Sequence, residues 1–141
     1  MGQSHHRVWI HMVWSTKYRA QNLEASWRPK LFDEFFRIAK KHGIILDTVN
    51  GVSDHVHVLV KMKPSQCFSD IARLLKGASS RWINKLELSE EVFYWQIGYG
   101  VLSVSPDRIE VVRNYIRNQE KHHQETSFKE EMENFEFYED E

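Results

Sequence analysis

Residues 8–15 (VWIHMVWS) combine valine, isoleucine and tryptophan with no breaking residue, which predicts a first strand. From Trp27 to His42 the apolar period changes, with Leu31, Phe35, Ile38 and Ala39 at helical spacing. Ser26 is placed to cap this helix, Pro29 lies in its first turn and Gly43 follows its end. Ile44–Val52 and His55–Met62 are two β-branched runs joined by a short link at Ser53-Asp54, a hairpin that Pro64 closes. Between Ser65 and Leu86, Phe68, Ile71, Leu74, Leu75 and Ala78 share one helical face, and Arg73, Lys76, Arg81 and Lys85 fall largely on others. Val92–Ser105, with Trp95, Ile97, Tyr99, Val101 and Val104, predicts a fourth strand in which Gly98 and Gly100 mark a bulge or a close approach. Ser105-Pro106 then supplies a cap and a first-turn proline for a third helix, carried by Ile109, Val112, Tyr115 and Ile116 toward His123.

The order β-α-β-β-α-β-α is that of an α+β, ferredoxin-like (RRM-like) split βαβ sandwich: a four-stranded antiparallel sheet with an added C-terminal helix that carries Tyr115. A length of 141 residues suits one domain. The expected division is a single domain over 1–124 and an acidic tail over 125–141. That tail holds eight acids against one lysine, which leaves 18 basic and 12 acidic residues in the rest. A basic body is compatible with nucleic acid. The tail also contains Phe128, Phe135, Phe137 and Tyr138 among its acids, a composition open to either a docking arm or free coil. With 41% hydrophobic and 28% charged residues, neither a disordered nor a collagen-like chain fits. No apolar run approaches the roughly 20 residues of a membrane span and Met1–Arg7 lacks a signal-peptide core, so a cytoplasmic location without membrane partners is expected. The single cysteine, Cys67, excludes an internal disulfide and a cysteine-rich zinc site.

Candidate chemistry lies in Asp54-His55-Val56-His57-Val58-Leu59-Val60. Alternate residues of a strand share a face, so His55 and His57 point the same way and can offer two imidazole nitrogens to one divalent ion, while Val56, Val58 and Val60 face the core. The same pattern also fits two half-exposed histidines with no ion. Asp54 either orients an imidazole through its carboxylate or sits in the hairpin turn, and the turn is the preferred reading. On the third helix Tyr115 and Gln119 are four residues apart, one above the other. A tyrosine hydroxyl can attack a phosphodiester and conserve the bond energy in a phosphotyrosine; Gln119 can complete a metal shell through its oxygen. Tyr115 equally suits a core aromatic and Gln119 a surface amide.

Taken together, these residues resemble the small insertion-sequence transposases of the single-tyrosine HUH class, the IS200/IS605-type family. The likeness rests on His55-Val56-His57 and on Tyr115 within Asn114-Tyr115-Ile116-Arg117-Asn118-Gln119. It extends to Val13-Trp14-Ser15-Thr16-Lys17-Tyr18-Arg19, Leu75-Lys76-Gly77, Trp95-Gln96-Ile97-Gly98-Tyr99-Gly100 and His122-His123, and spans about residues 7–130. The resemblance implies a DNA transposase that cuts and rejoins single-stranded DNA at hairpin-bearing element ends. Tyr115 would be the nucleophile, giving a 5′-phosphotyrosine, and His55, His57 and Gln119 would hold Mg2+ or Mn2+, although other divalent ions can occupy imidazoles in a preparation. It also implies a homodimer whose sheets join edge to edge, with the tyrosine helix of one subunit completing the other's site. The DNA-binding positions would be Lys17, Tyr18, Arg19, Arg73, Lys76, Arg81 and Lys85, with Tyr18 or Trp82 stacking on unpaired bases. Two other functions fit the same features: a non-catalytic module that binds hairpin or single-stranded nucleic acid, and a host-adopted transposase-like protein acting on chromosomal repeats.

Overall fold

The computed structural model describes residues 2–121 and residue 130, so the tail, save Glu130, and the His122-His123 pair lie outside the described residues. In chain order the elements are β1 (Val8–Ser15), a 3-10 turn (Lys17–Arg19), α1 (Arg28–Lys41), β2 (Ile45–Gly51), β3 (His55–Met62), α2 (Phe68–Lys85), β4 (Gly100–Val104), a second 3-10 turn (Pro106–Arg108) and α3 (Ile109–Arg117). The four strands form one sheet in the order β2-β3-β1-β4, each neighbouring pair antiparallel. This is the expected α+β split βαβ sandwich.

Strand alternation divides the sheet into two unlike faces. Ile10, Met12 and Trp14 of β1 and Val56, Val58, Val60 and Met62 of β3 join the main core under α1 and α2, with Leu31, Phe35, Ile38, Ile71, Leu75 and Ile83. The opposite face receives α3, whose Ile116 is buried with Leu59 and Val104, while Trp9, Ile109, Val112 and Tyr115 pack around them. Among the described residues no helix is long and apolar enough to cross a membrane.

The hairpin between β2 and β3 depends on Gly51. A Cβ there would stand 2.5 Å from the carbonyl oxygen of His55 and 2.9 Å from the Val56 side chain, so only glycine lets the two backbones approach this closely. Val52 N–H then donates to His55 C=O at 3.0 Å, setting where β3 begins.

Three local expectations are corrected. The fourth strand does not start at Val92: before Gly100 only Trp95 bridges, to Thr16, and Gly98 adopts φ +95°. Side chains of α2 share the hydrogen bonds of this stretch with the end of β1, where Gln96 N–H donates to Ser15 C=O at 2.9 Å. Asn84 bonds both the N–H and the C=O of Phe93, and Lys76 donates to the carbonyls of Gln96 and Gly98 at 2.8 Å each. Ser26 does not cap α1, whose N-cap position is Trp27; there the N–H groups of Trp27 and Arg28 donate to Glu24 C=O. Ser105 caps through its carbonyl, which accepts from Arg108 N–H at 2.8 Å, and a 3-10 turn precedes α3.

Candidate active site

β1 and β3 pair in a register that sets Val13 opposite His57 and Ser15 opposite His55. Since His11, Val13 and Ser15 share one face of β1, the α3 side of the sheet centre carries His11, His55 and His57 together. His55 and His57 are fully buried, not half-exposed, and His11 is 5% exposed. The His55 and His57 ring centroids are 5.1 Å apart at an interplanar angle of 70°.

Each of these two imidazoles is held through Nδ1. His55 Nδ1 lies 2.8 Å from Asp54 Oδ1, so the preferred reading of Asp54 as a plain turn residue is corrected: it stands at the hairpin link and its carboxylate orients the ring. His57 Nδ1 lies 2.8 Å from His11 Nε2. The Nε2 atoms of both rings are buried, as is Gln119 Oε1.

α3 is positioned over this cluster by directional bonds from β2. Asn50, opposite His57 in the sheet register, donates through Nδ2 to the carbonyls of Ile116 and Arg117 at 3.0 Å each. These are last-turn carbonyls of a helix, which need an outside donor. One turn earlier, Arg113 grips Asp47 with Nε at 2.8 Å and Nη2 at 2.9 Å, and also pairs with Glu110. Hydrogen bonding to Arg113 holds the Asp47 carboxyl below its ordinary value, and the same contact raises Arg113.

These anchors bring the half-buried Tyr115 ring edge-on to His57, 5.8 Å between centroids, and to His11 at 6.0 Å. Gln119 follows the end of α3 fully buried, and its Nε2 donates to Tyr115 C=O at 3.4 Å. The i, i+4 relation thus survives past the helix end. Within the chain, Tyr115, His55, His57 and Gln119 lie in one region on the α3 side of the sheet. Sequence reasoning missed His11 and Asn50. A histidine in β1 was a visible signal, but its partner is 46 residues away.

The fit to a divalent ion is chemical: two imidazoles whose Nδ1 atoms are occupied, both with Nε2 turned into the interior, and one buried amide oxygen. Imidazole and neutral oxygen donors suit Mn2+, Zn2+ or Ni2+ well and tolerate Mg2+.

The seven expected DNA-binding residues fall into two groups. Lys17, Tyr18 and Arg19 form the exposed turn just beyond β1, at the sheet end where Ser15 meets His55. Tyr18 (φ 60°) and Arg19 (φ 53°) are left-handed, and Tyr18 is 85% exposed. Lys17 Nζ sits 5.4 Å from the Tyr18 ring centroid and 5.1 Å from that of Tyr94. Lys17 N–H donates to Tyr94 C=O at 3.0 Å and Tyr18 N–H to Gln96 Oε1 at 3.3 Å, so the turn is fixed to residues 94–96. Arg73, Lys76, Arg81 and Lys85 lie on α2, in the layer across the sheet from Tyr115. Of these, Lys76 is tied to the backbone at Gln96 and Gly98, and burial lowers its pKa. Trp82 is packed against the main core.

A family model described as "Transposase IS200 like" matches residues 4–119. The ISDra2 transposase TnpA of Deinococcus radiodurans is 32% identical over 114 residues, covering 77% of this chain and 81% of the relative. A crystal structure assigned as a transposase from the same species superposes with TM-score 0.67 at 29% identity, covering 84% of this chain and 98% of the other. The structure of a REP-associated tyrosine transposase bound to a REP hairpin shares the fold, with TM-score 0.58 at 14% identity and coverage of 84% and 72%.

Proposed function

Because the chain belongs to the IS200-like transposase family, we propose that it cuts and rejoins single-stranded DNA at hairpin-bearing element ends, with Tyr115 as nucleophile and a divalent ion on His55, His57 and Gln119. The observation that carries this reading is the pairing of Tyr115, 5.8 Å from His57 between ring centroids, with two buried imidazoles whose Nδ1 atoms are both held at 2.8 Å.

In this reading Tyr115 Oη attacks the phosphorus of a DNA phosphodiester. An oxygen–phosphorus bond forms to the tyrosine as the bond to the 3′ oxygen breaks, and the phenol's proton is matched by the one gained at the released 3′-OH. The 5′-phosphotyrosine keeps the ester energy, so a later 3′-OH attacks the same phosphorus and frees the tyrosine. Bound divalent metal supplies charge for the phosphoryl oxygens as negative charge builds on them. Gln119, buried below Tyr115 and bonded to its carbonyl, fixes its own amide relative to the nucleophile. Lys17 and Arg19 neutralise phosphates beside the site and Tyr18 stacks on an unpaired base, worth about 1–3 kcal/mol for a nucleic-acid base on an aromatic ring. Arg73, Arg81 and Lys85 take DNA that runs around to the α2 layer. The working unit is a homodimer.

The test is incubation of the purified chain with end-labelled hairpin DNA from the flanks of its own gene, in Mg2+, Mn2+ or EDTA, beside Tyr115→Phe. A metal-dependent covalent adduct lost in the variant, with hairpin binding retained, is the expected result. Binding without an adduct under either metal would leave a nucleic-acid-binding module instead.

A further inference from the structure

The two histidines of the site are held by unlike partners. His55 Nδ1 meets a carboxylate, Asp54 Oδ1, at 2.8 Å; His57 Nδ1 meets a third imidazole, His11 Nε2, also at 2.8 Å. His11 comes from β1, two residues along from Val13, the cross-strand partner of His57, so the bond is diagonal across the sheet. It lies at the sheet centre, where His11 is 5% exposed and His57 is fully buried.

We propose that His11 is a positioning residue for the metal site: its Nε2 accepts the Nδ1–H of His57 and so fixes both the tautomer and the ring plane in which His57 Nε2 can hold a divalent ion. The inference rests on the reading of His55, His57 and Gln119 as metal ligands. An imidazole coordinates a metal through a ring nitrogen that carries a lone pair, so ligation by Nε2 requires the ring proton on Nδ1. That proton needs an acceptor. For His55 the acceptor is Asp54, on the same strand end and 18% exposed in its side chain. At the sheet centre a carboxylate would have to be desolvated, whereas a neutral imidazole accepts the same hydrogen bond at much smaller cost. A neutral acceptor also adds no negative charge beside the place where a phosphodiester must approach. The His11 and His57 ring centroids lie 5.0 Å apart at 33°, and His11 meets the Tyr115 ring edge-on at 6.0 Å. His11 therefore braces His57 from the side that also borders the nucleophile.

The measurement is Mn2+ binding by the full-length chain without DNA, read by electron paramagnetic resonance of free Mn2+, for wild type, His57→Ala, His11→Phe and His11→Gln. Phenylalanine fills the ring's space without an acceptor, and glutamine keeps an acceptor in its amide oxygen. His57→Ala is expected to lose binding. His11→Phe should weaken it by about 10–100-fold, the usual effect of removing a group that orients a ligand, and His11→Gln should stay within about threefold of wild type. Wild-type binding by His11→Phe beside a dead His57→Ala would overturn the role of His11 and leave the metal reading intact. Equal losses in the phenylalanine and glutamine variants would reduce His11 to packing and also overturn it. Undiminished binding by His57→Ala would sink the metal reading itself. If the variants fold poorly, long-range 15N–1H spectra of the wild-type imidazoles still decide: an Nδ1–H tautomer at His57 is expected, and an Nε2–H tautomer there refutes the proposal.

Discussion

The two faces of the sheet are built from different materials. Under α1 and α2 the contacts are apolar and aromatic: Trp14 meets Phe35 and Trp95 edge-on at 5.8 and 6.1 Å, and Phe93 meets Trp95 at 4.8 Å. Under α3 the buried apolar cluster shrinks to Leu59, Val104 and Ile116 with Trp9, Ile109, Val112 and Tyr115 packed around it, and imidazole, amide and ion-pair groups stand beside it. Burial of large apolar side chains supplies most of the stability of a fold this size, whereas a charged or amide anchor is directional and contributes little net energy. The fold therefore stands on one face and its proposed chemistry on the other. A helix of nine residues is too short to hold itself, so α3 depends on tertiary contacts for its place, among them those of Ile116, Asn50 and Asp47.

The sharpest way to break this contrast is to damage each face in turn. Phe35→Ala should cost about 3–5 kcal/mol and lower the whole unfolding transition, seen by urea melts in which every probe moves together. Ile116→Ala removes one side chain from a small cluster and should cost about 2 kcal/mol. Its signature is local: amide exchange quickens in α3 while β1 and β3 keep their protection, and DNA cleavage falls with little change in hairpin affinity. Cleavage surviving in Ile116→Ala would show that docking of α3 is not required.

Asn50→Ala should cost about 1 kcal/mol, because two last-turn carbonyls lose their donor but can reach water. The same exchange measurement should show fraying confined to residues 115–119, the segment that carries Tyr115 and Gln119. The smallest effect is acid release of α3. Arg113 holds Asp47 below its ordinary value of 3.8, so this anchor is complete above that pH and is lost as pH falls through the lowered folded value. Amide spectra of α3 followed down in pH should shift at a lower pH than the ordinary carboxylate range in the wild type. In Asp47→Asn that step should be missing; its persistence would assign the transition to another carboxyl.

The same division explains how much of the site is legible in the chain. His55 and His57 on one face, and Tyr115 with Gln119 four residues on, follow from the periods of a strand and a helix, which are properties of the local backbone. So do α1, α2, the hairpin and the order of elements, and hence the split βαβ sandwich. The stretch before Gly100 has the composition of a strand, but Asn84 and Lys76 of α2 take the backbone groups of Phe93, Gln96 and Gly98 that a longer ladder would pair, a competition that local propensity does not contain.

What the sequence by itself determined is therefore the identity and facing of the chemical groups within each element. Only the tertiary structure decided which elements meet. His11 reaches His57 because β1 pairs with β3 in one register, and Asn50 reaches α3 because β2 resumes pairing after a shift between Leu46 and Thr48. A one-residue slip in either pairing would turn these side chains to the opposite face, so their roles depend on cross-strand register and not on any spacing along the chain.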